Sequence, residues 1–412
     1  MSVLRSLTHA TVMTVSLSGA ARAEAIKAEV LHWWTSGGES AAIKVFADAF
    51  SEAGGEWIDT AIAGADNARN AGINRIIGGE SPTAMQFNIG RQFDELVAEG
   101  MLRDMENIAA EGQWRDNLPR AILEATVRDG KFYAVPVNVH GENWFWTNNK
   151  VFADAGIEPP TSYQELIEAG QTLRDASVIP LALGGQPWQE YLTFLSTLLA
   201  EGGPDVYLSI LGENDTEAAR SDGFRKAAKT FAALRELVDE GSPGRNWNDA
   251  TSMVITGQAA VQVMEDWAKG EFIAAGLTLG EDYECTIISE DRGYILGGDV
   301  FVFPVVEDAA HQAGQDALAR HMMSADTQVA FNEKKGSVPV LLNVDVSAMD
   351  SCAQSAMALM QDATKQIPSH SLLSTPDLTG ALTDVVTEFW NAPDMTIDTF
   401  IENTASALEI AG

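Results

Sequence analysis

Short apolar segments alternate with longer amphipathic ones over the first hundred residues of this chain. The apolar segments, which are typical of strands, cover 29–33, 56–62 and 84–88. The segments in which apolar residues recur at helical spacing cover 41–52, 66–77 and 91–99. Strands that alternate with helices form a mostly parallel sheet covered by helices. The sequence therefore predicts an α/β fold.

Length and charge narrow this prediction further. A chain of 412 residues is too long for one ordinary hydrophobic core, so we expect two lobes or domains. The hydrophobic fraction of 46% is that of a folded globular protein. The formal net charge is -33, and such a surface repels DNA, RNA and anionic lipid. We therefore expect no nucleic-acid partner.

Residues 1–23 have the pattern of a signal peptide. Arg5 is the only early charge, an apolar stretch follows it, and the small residues Ala21 and Ala23 form a cleavage pattern. We expect export to the periplasm, with a mature N-terminus near Glu24.

The chain has two cysteines, Cys285 and Cys352. In an exported protein an even pair predicts one disulfide bond. Two unrelated buried thiols are the alternative that the sequence leaves open.

Sequence signatures of enzymes are sparse. We find no phosphate-binding glycine loop, no zinc-protease motif and no serine nucleophile elbow. The six histidines are scattered without metal-ligand spacing, so we predict no metal site and no cofactor. A glycosidase needs only two carboxylates, which Glu39, Asp266 and Asp299 could supply. A secreted carbohydrate-active hydrolase that uses Glu39 and Asp299 therefore remains the main alternative to a binding protein.

The strongest candidate for a ligand site is the stretch from Leu31 to Ser40. A short strand runs into Trp33 and Trp34, a Ser-Gly-Gly turn follows, and Glu39 opens a helix. Open α/β sheets bind ligands at the carboxyl ends of their strands. Two indole faces beside a carboxylate suit a sugar ring, which has apolar faces and a rim of hydroxyls. The alternative is that one tryptophan belongs to the core and the other covers a loop.

Two other strands bear on the fold and the site, one through its polar side chains and one through its proline. In the strand 84–88, alternation places Gln86 and Asn88 on the face opposite Met85 and Phe87. A strand at 130–137 contains a proline, which disfavours a central position in a sheet, and we interpret it as the first crossing between the lobes.

Several motifs together resemble a known family. They are Phe132-Tyr133-Ala134-Val135-Pro136, Asn149-Lys150 with Gly156-Ile157-x-Pro-Pro-Thr161, and Gly257-x-Ala-Ala260 followed by Asp266-Trp267. In this order they resemble the carbohydrate-binding solute-binding proteins of bacterial ABC transporters, the group of maltose-binding protein. The stretches from His32 to Glu39 and from Phe331 to Pro339 resemble its glucose/mannose-binding branch most closely.

The resemblance covers essentially all of the mature chain and implies a type II periplasmic-binding-protein fold. Two α/β lobes would close over a sugar held between them. The first lobe would comprise 24–133 and 294–341, and the second 134–293 and 342–412. The resemblance further implies a monomer that catalyses nothing and delivers a monosaccharide, glucose or a similar aldohexose, to the permease subunits of an ABC importer. A ligand that is an oligosaccharide or a polyol remains a further alternative.

The resemblance also implies roles in the ligand site. Trp33 and Trp34 would flank the pyranose ring, Glu39 would accept hydrogen bonds from hydroxyls, and Trp267 would close from the second lobe. The other positions that match the family's site are Gln86, Asn88, Asp299, Lys335 and His370. Asp299, after Gly-Gly, and Lys335, before Gly336, match a charged pair that forms hydrogen bonds with adjacent hydroxyls of the sugar. Asn88 stands where relatives carry a longer or basic side chain.

Overall fold

The computed structural model describes residues 26–412. The predicted signal peptide and its cleavage site lie outside the described residues. The strands, in chain order, are β1 (Lys27–His32), β2 (Glu56–Ala61), β3 (Ala84–Asn88), β4 (Val127–Arg128), β5 (Lys131–Phe132), β6 (Ala134–Pro136), β7 (His140–Gly141), β8 (Trp144–Asn148), β9 (Ile179–Ala182), β10 (Ala259–Val263), β11 (Tyr283–Ile287), β12 (Tyr294–Gly297), β13 (Asp299–Val302) and β14 (Gln366–Pro368).

The helices, in chain order, are α1 (Gly37–Glu52), α2 (Ala65–Ile77), α3 (Asp94–Ala98), α4 (Glu106–Glu111), α5 (Trp114–Asn117), α6 (Arg120–Thr126), α7 (Asn149–Ala155), α8 (Tyr163–Asp175), α9 (Pro187–Gly202), α10 (Pro204–Glu213), α11 (Thr216–Ala219), α12 (Asp222–Arg235), α13 (Trp247–Ile255), α14 (Lys269–Ala274), α15 (Ala309–Met322), α16 (Ala325–Lys335), α17 (Ser351–Gln361), α18 (His370–Leu373), α19 (Pro376–Asn391) and α20 (Ile397–Ala411). A single 3-10 turn, Asp266–Ala268, precedes α14.

Within residues 26–412, none of the helices combines the length and the apolar character that a membrane crossing requires.

The first sheet has the strand order β2-β1-β3-β13-β6. Strand β1 pairs in parallel with both β2 and β3, as the alternation of strands and helices predicts. Strand β13 arrives much later in the chain and pairs antiparallel with β3 and with β6. The strand β6, which contains Pro136, lies at the edge of the sheet, and this confirms the prediction that the proline excludes it from a central position.

A second sheet has the order β11-β8-β10-β9, with β10 parallel to β9 and β8 antiparallel to both its neighbours. Between the two sheets lies a three-stranded sheet of order β14-β12-β7. The chain passes through β7 on its way from β6 to β8, and through β12 on its way back to β13. The short segments around β7 and β12 therefore connect the two larger sheets.

Two hydrophobic clusters fill the molecule. The first contains the helix face of α1 and the strands of the first sheet, where Phe46 stacks on Phe331 at a centroid distance of 4.2 Å. The second lies among α9, α12, α19 and α20, where Phe389 stacks on Phe400, also at 4.2 Å. The first cluster also includes residues of the second sheet, such as Trp144, Trp146 and Tyr283, so the two clusters do not coincide with the two larger sheets.

Cys285 in β11 and Cys352 in α17 form a disulfide bond, with their Cα atoms 6.3 Å apart. This confirms the predicted pairing and rules out two free thiols. The bond joins the edge strand of the second sheet to a helix 67 residues further along the chain.

Candidate ligand-binding site

Glu39 lies in the first turn of α1, where the chain leaves the carboxyl end of β1. Ser36 is the N-cap of this helix, and its hydroxyl accepts a hydrogen bond from the Glu39 N–H at 3.3 Å. Oε2 of Glu39 in turn accepts hydrogen bonds from the N–H groups of Thr35 and Ser36, at 3.0 and 3.1 Å. This reciprocal arrangement is a capping box. It fixes the carboxylate at the edge of the sheet, where the sequence predicts a ligand.

The other oxygen of Glu39 faces Lys335. Lys335 is the last residue of α16, which Gly336 ends with a φ of 91°. Nζ of Lys335 lies 3.9 Å from Oε1 of Glu39, and both residues are buried. Burial raises the pKa of Glu39, and the ammonium group of Lys335 opposes that rise. These two opposite charges lie close together inside the protein but are too far apart for a direct hydrogen bond.

The two neighbouring tryptophans differ in their exposure. Trp34 is 1% exposed, and its ring packs against Phe301 and Phe331 with centroid distances of 5.8 and 5.4 Å. Trp33 is only partly buried. The role of both rings in flanking a sugar stays a prediction, and Trp33 offers the more accessible ring of the two.

Lys335 also brings Trp34 and Trp267 together. Its Nζ lies 5.4 Å from the centroid of the Trp34 ring and 4.9 Å from that of Trp267, which are cation–π distances. Trp34 follows β1 of the first sheet, whereas Trp267 lies in the turn after β10 of the second. Three of the predicted site residues from distant parts of the chain therefore meet at one ammonium group.

Two further tryptophans lie beside Trp267. The Trp247 ring packs edge to face against the Trp267 ring, with the two centroids 4.4 Å apart. The centroid of the Trp188 ring lies 6.2 Å from that of Trp267. Trp188 is 39% exposed. The sequence analysis missed both, because each stands alone at the start of a helix, and no pattern along the chain links them to position 267.

Asp299, the first residue of β13, is held by amide side chains. Its Oδ1 accepts a hydrogen bond from Nε2 of Gln86 at 2.9 Å, and its Oδ2 accepts one from Nδ2 of Asn138 at 3.0 Å. Oε1 of Gln86 accepts the N–H of Trp33 at 3.1 Å, so a chain of hydrogen bonds links the tryptophan segment to Asp299. The sequence analysis did not identify Asn138, which lies between β6 and β7 and has no neighbouring motif.

Asn88 pairs with Asp299 in the register of β3 and β13. It is partly exposed, whereas Met85, Gln86 and Phe87 are all buried, so both faces of the strand are covered before Asn88. Its backbone N–H donates to Oε1 of Gln92 at 3.2 Å. Asn88 therefore lies next to Asp299, and a contact with a ligand stays a prediction.

His370 is the first residue of α18 and lies near Glu142 and Tyr191. Its Nδ1 is 4.0 Å from Oε2 of Glu142, and its ring meets that of Tyr191 edge to face at 5.3 Å. Burial lowers the pKa of His370 to about 4. The ring is therefore neutral at physiological pH.

A group of buried ionisable side chains lines the same region and was not singled out by the sequence. Nδ1 of His140 lies 3.2 Å from Oε1 of Glu265, and its Nε2 lies 4.0 Å from Oδ2 of Asp299. Burial and the charge of Glu265 raise the pKa of Glu142 to about 8. Burial also raises the pKa of Asp266 to about 7. These groups come from the connecting segment around β7 and from the end of β10.

The starts of α1 and α14 and the end of α16 touch through glycines. A Cβ on Gly38 would lie 2.6 Å from the carbonyl carbon of Gly270, and one on Gly336 would lie 3.0 Å from the Gly270 nitrogen. The Gly38 N–H also donates to Oε1 of Glu271 at 2.8 Å. Segments that leave different sheets therefore meet backbone to backbone beside Glu39 and Lys335.

Comparisons with known proteins show the family to which this chain belongs. Over residues 34–329 the chain matches the bacterial extracellular solute-binding proteins, and it belongs to that family. It is 36% identical over 419 residues to a probable sugar-binding periplasmic protein of Mesorhizobium japonicum, covering 99% of this chain and 100% of that one. It is 34% identical to a protein of the same description from Brucella suis, covering 93% and 92% of the two chains.

Solved structures share the fold. A bacterial solute receptor described as exclusively preferring β-D-galactopyranose superposes with a TM-score of 0.79 at 17% identity, covering 93% of this chain and 97% of the receptor. A chitin oligosaccharide binding protein superposes with a TM-score of 0.77 at 18% identity, covering 94% and 99%. At these identities the likeness shows the fold alone.

The comparisons confirm the predicted two-lobe α/β fold. They also confirm the predicted class of protein, a sugar-binding component of an ABC importer. The family consists of binding proteins rather than enzymes, which disfavours the hydrolase alternative. The periplasmic location predicted from the sequence agrees with the family and with the names of the Mesorhizobium and Brucella relatives. The narrower resemblance to the glucose/mannose-binding branch stays a prediction.

Proposed function

We propose that this protein binds a monosaccharide, glucose or a closely related aldohexose, and delivers it to the membrane permease of an ABC importer. One observation carries the proposal: Nζ of Lys335 lies within 5.4 Å of two indole rings and 3.9 Å from Oε1 of Glu39. The charged and aromatic groups that would recognise a sugar thus converge on one small volume. A long oligosaccharide would instead need aromatic platforms spaced along a groove.

The chemistry of the site supports a ligand rich in hydroxyls. Hydrogen bonds to charged groups contribute roughly 1.5–3 kcal/mol each, against about 1 kcal/mol for neutral pairs. Glu39, Asp299 and Lys335 are buried charges of this kind, and the hydrogen bonds from Gln86 and Asn138 orient Asp299 in advance. The partly exposed ring of Trp33 would stack on the apolar face of the sugar.

Binding would proceed by closure of two lobes. We propose the division at 133/134, 293/294 and 341/342, with lobe 1 formed by 24–133 and 294–341. The boundary at 293/294 lies at the start of β12, where the chain changes sheets. Strand β6 still pairs with β13 in the first sheet, so we propose that the first crossing follows Pro136. A ligand that contacts both lobes shifts the population from an open to a closed state, because its full set of contacts exists only in the closed one.

Isothermal calorimetry with glucose, galactose, mannose, xylose and maltotriose tests the proposal. We expect tight binding of one aldohexose, at one equivalent per chain, and weak or no binding of maltotriose. The sugar recovered after release should be unchanged, which also tests the hydrolase alternative. Tighter binding of maltotriose than of every monosaccharide would refute the assignment.

Solution scattering tests closure and oligomeric state together. The forward scattering should correspond to a monomer, and the radius of gyration should decrease when the sugar is added. An unchanged radius at saturating sugar would indicate a rigid site.

A further inference from the structure

Three buried side chains converge at one point beside the proposed sugar site. His140, Glu142 and Glu265 each place one potential ligand atom within 4.8 Å of the other two. The three residues are 5%, 2% and 9% exposed. They come from the segment around β7 and from the end of β10, so their proximity is a product of the tertiary structure.

Two of these side chains lack the hydrogen bonds that buried polar atoms normally make. Nδ1 of His140 and Oε2 of Glu142 have no hydrogen-bond partner, and Nδ1 of His370, 4.0 Å from that oxygen, has none either. Oε1 of Glu265 lies 3.2 Å from Nδ1 of His140, so this carboxylate and the imidazole ring face each other. Buried polar groups without partners are rare in proteins and commonly mark a missing ion or water.

Among the described residues, the two carboxylates of the group are paired with histidines alone. In the part of the chain that the structure describes, no lysine or arginine lies within 4 Å of the carboxylates of Glu142 or Glu265, whose ion-pair partners there are histidines. The nearest lysine in sequence, Lys269, is paired with Asp350 at 2.8 Å. Buried carboxylates are normally paired or coordinate a metal, because an isolated buried charge is strongly unfavourable.

We propose that His140, Glu142 and Glu265 bind a divalent transition-metal ion, for which Zn²⁺ is the best match. One imidazole nitrogen and two carboxylate oxygens form a ligand set that Zn²⁺ accepts, whereas Mg²⁺ and Ca²⁺ prefer oxygen ligands alone. Three protein ligands leave a coordination position open. His370 lies at the edge of the group and is the side chain of this chain best placed to approach that position.

Such an ion would hold the side chains on one side of the proposed sugar site in a fixed position. His140 and Glu142 lie where the chain first leaves the first sheet, and Glu265 ends the strand segment that leads to Trp267. The other nitrogen of His140, Nε2, lies 4.0 Å from Oδ2 of Asp299, so the ion would fix the ring that borders the sugar site. Metal binding does not depend on which sugar is bound, so this inference and the proposed function can fail separately.

Metal content and calorimetry test the site directly. Tag-free protein, purified without chelator, should contain close to one equivalent of zinc by elemental analysis. After removal of metal by EDTA and dialysis, titration with Zn²⁺ at physiological ionic strength should show one tight site. Glu142→Gln and Glu265→Gln should each weaken that site by roughly tenfold or more, because each removes a carboxylate ligand while keeping the shape of the side chain.

Glu158→Gln is the matched control, since Glu158 is an exposed glutamate remote in sequence from the group. It should retain the affinity of the wild type, which separates the site from weak binding to the acidic surface. Melting curves in the absence of metal check that the variants fold, and Zn²⁺ should raise the melting temperature of the wild type but not of Glu142→Gln. Zinc affinity that is equal in all three variants, or the absence of a stoichiometric site in the wild type, would overturn the inference and leave a buried water as the partner of these atoms.

Discussion

Gly38 and Gly270 pack backbone against backbone, so closely that a Cβ on Gly38 would lie 2.6 Å from the carbonyl carbon of Gly270. Gly38 lies in the first turn of α1, which follows β1 of the first sheet, and Gly270 lies in the first turn of α14, which follows β10 of the second. If the two lobes close on a ligand as we propose, this contact forms on closure and requires glycine for steric reasons.

Gly38→Ala should therefore weaken sugar binding by roughly tenfold or more, because the added methyl group disfavours the closed state. Gly37→Ala is the control, since a Cβ there would come no closer than 3.6 Å to its nearest neighbour, an oxygen of Glu271. Calorimetry measures the affinity, and scattering measures the change in radius. Equal affinities of the two alanine variants would contradict a role of this contact in closure.

Lys335→Met should weaken sugar binding by roughly tenfold or more, because a hydrogen bond to a charged group is lost inside the cleft. The neighbouring Lys334 is exposed, so Lys334→Met controls for the loss of one positive charge in the same helix turn. Tryptophan fluorescence should also change in Lys335→Met without sugar, since Nζ lies over the Trp34 and Trp267 rings. Identical sugar affinities of the two variants would show that Lys335 does not contact the ligand.

Asp299→Asn should reduce sugar affinity by a similar factor while leaving the protein folded. The substitution keeps the shape of the side chain, but its amide nitrogen would face either Nε2 of Gln86 or Nδ2 of Asn138, both of which are donors. Asp291→Asn, at an exposed position, serves as the control. Calorimetry with the preferred sugar and a melting curve separate a binding effect from unfolding. Full affinity in a folded Asp299→Asn protein would exclude a direct contact.

Reduction of the Cys285–Cys352 bond should lower the free energy of unfolding by about 4 kcal/mol, because the bond closes a long loop in the unfolded chain. Urea unfolding with and without a reductant measures this difference. The double variant Cys285→Ser/Cys352→Ser should unfold at the urea concentration of the reduced wild type and should not respond to the reductant. A response of the double variant would show that the reductant acts elsewhere.

The stability contributed by Glu29 should depend on pH. Glu29 accepts two hydrogen bonds from Arg75, at 2.6 and 2.8 Å, and the guanidinium group lowers the pKa of this carboxyl. A lowered pKa in the folded state means that the stabilisation is present above the ordinary glutamate pKa of about 4.3 and is lost as the pH falls through the lowered value.

Glu29→Gln should therefore unfold more easily than the wild type at neutral pH, by about 1 kcal/mol, and the difference should shrink in acid. Glu240→Gln, at an exposed position, is the control and should show no such trend. Chemical unfolding at several pH values provides the measurement, and a difference that grows in acid would contradict the ion pair.

The sequence by itself determined the α/β class and the edge position of the strand that contains Pro136. These features follow from local patterns, because the period of apolar residues and the missing N–H of proline act within a few residues of the chain. It also predicted the pairing of Cys285 with Cys352, whereas the structure decided against two free thiols. The same patterns placed Glu39 at a helix start, where the capping box holds it.

Only the tertiary structure decided which of these residues lie together. Lys335 and Trp267 are far apart in sequence and meet because α16 ends against the turn after β10. Asn138, Glu142 and Glu265 carry no motif, because the side chains that they face, Asp299, His370 and His140, lie far from them in sequence. The burial that separates Trp34 from the more accessible Trp33 likewise depends on Phe301 and Phe331, which reach it only through the pairing of β13 with β3 and the packing of α16 on α1.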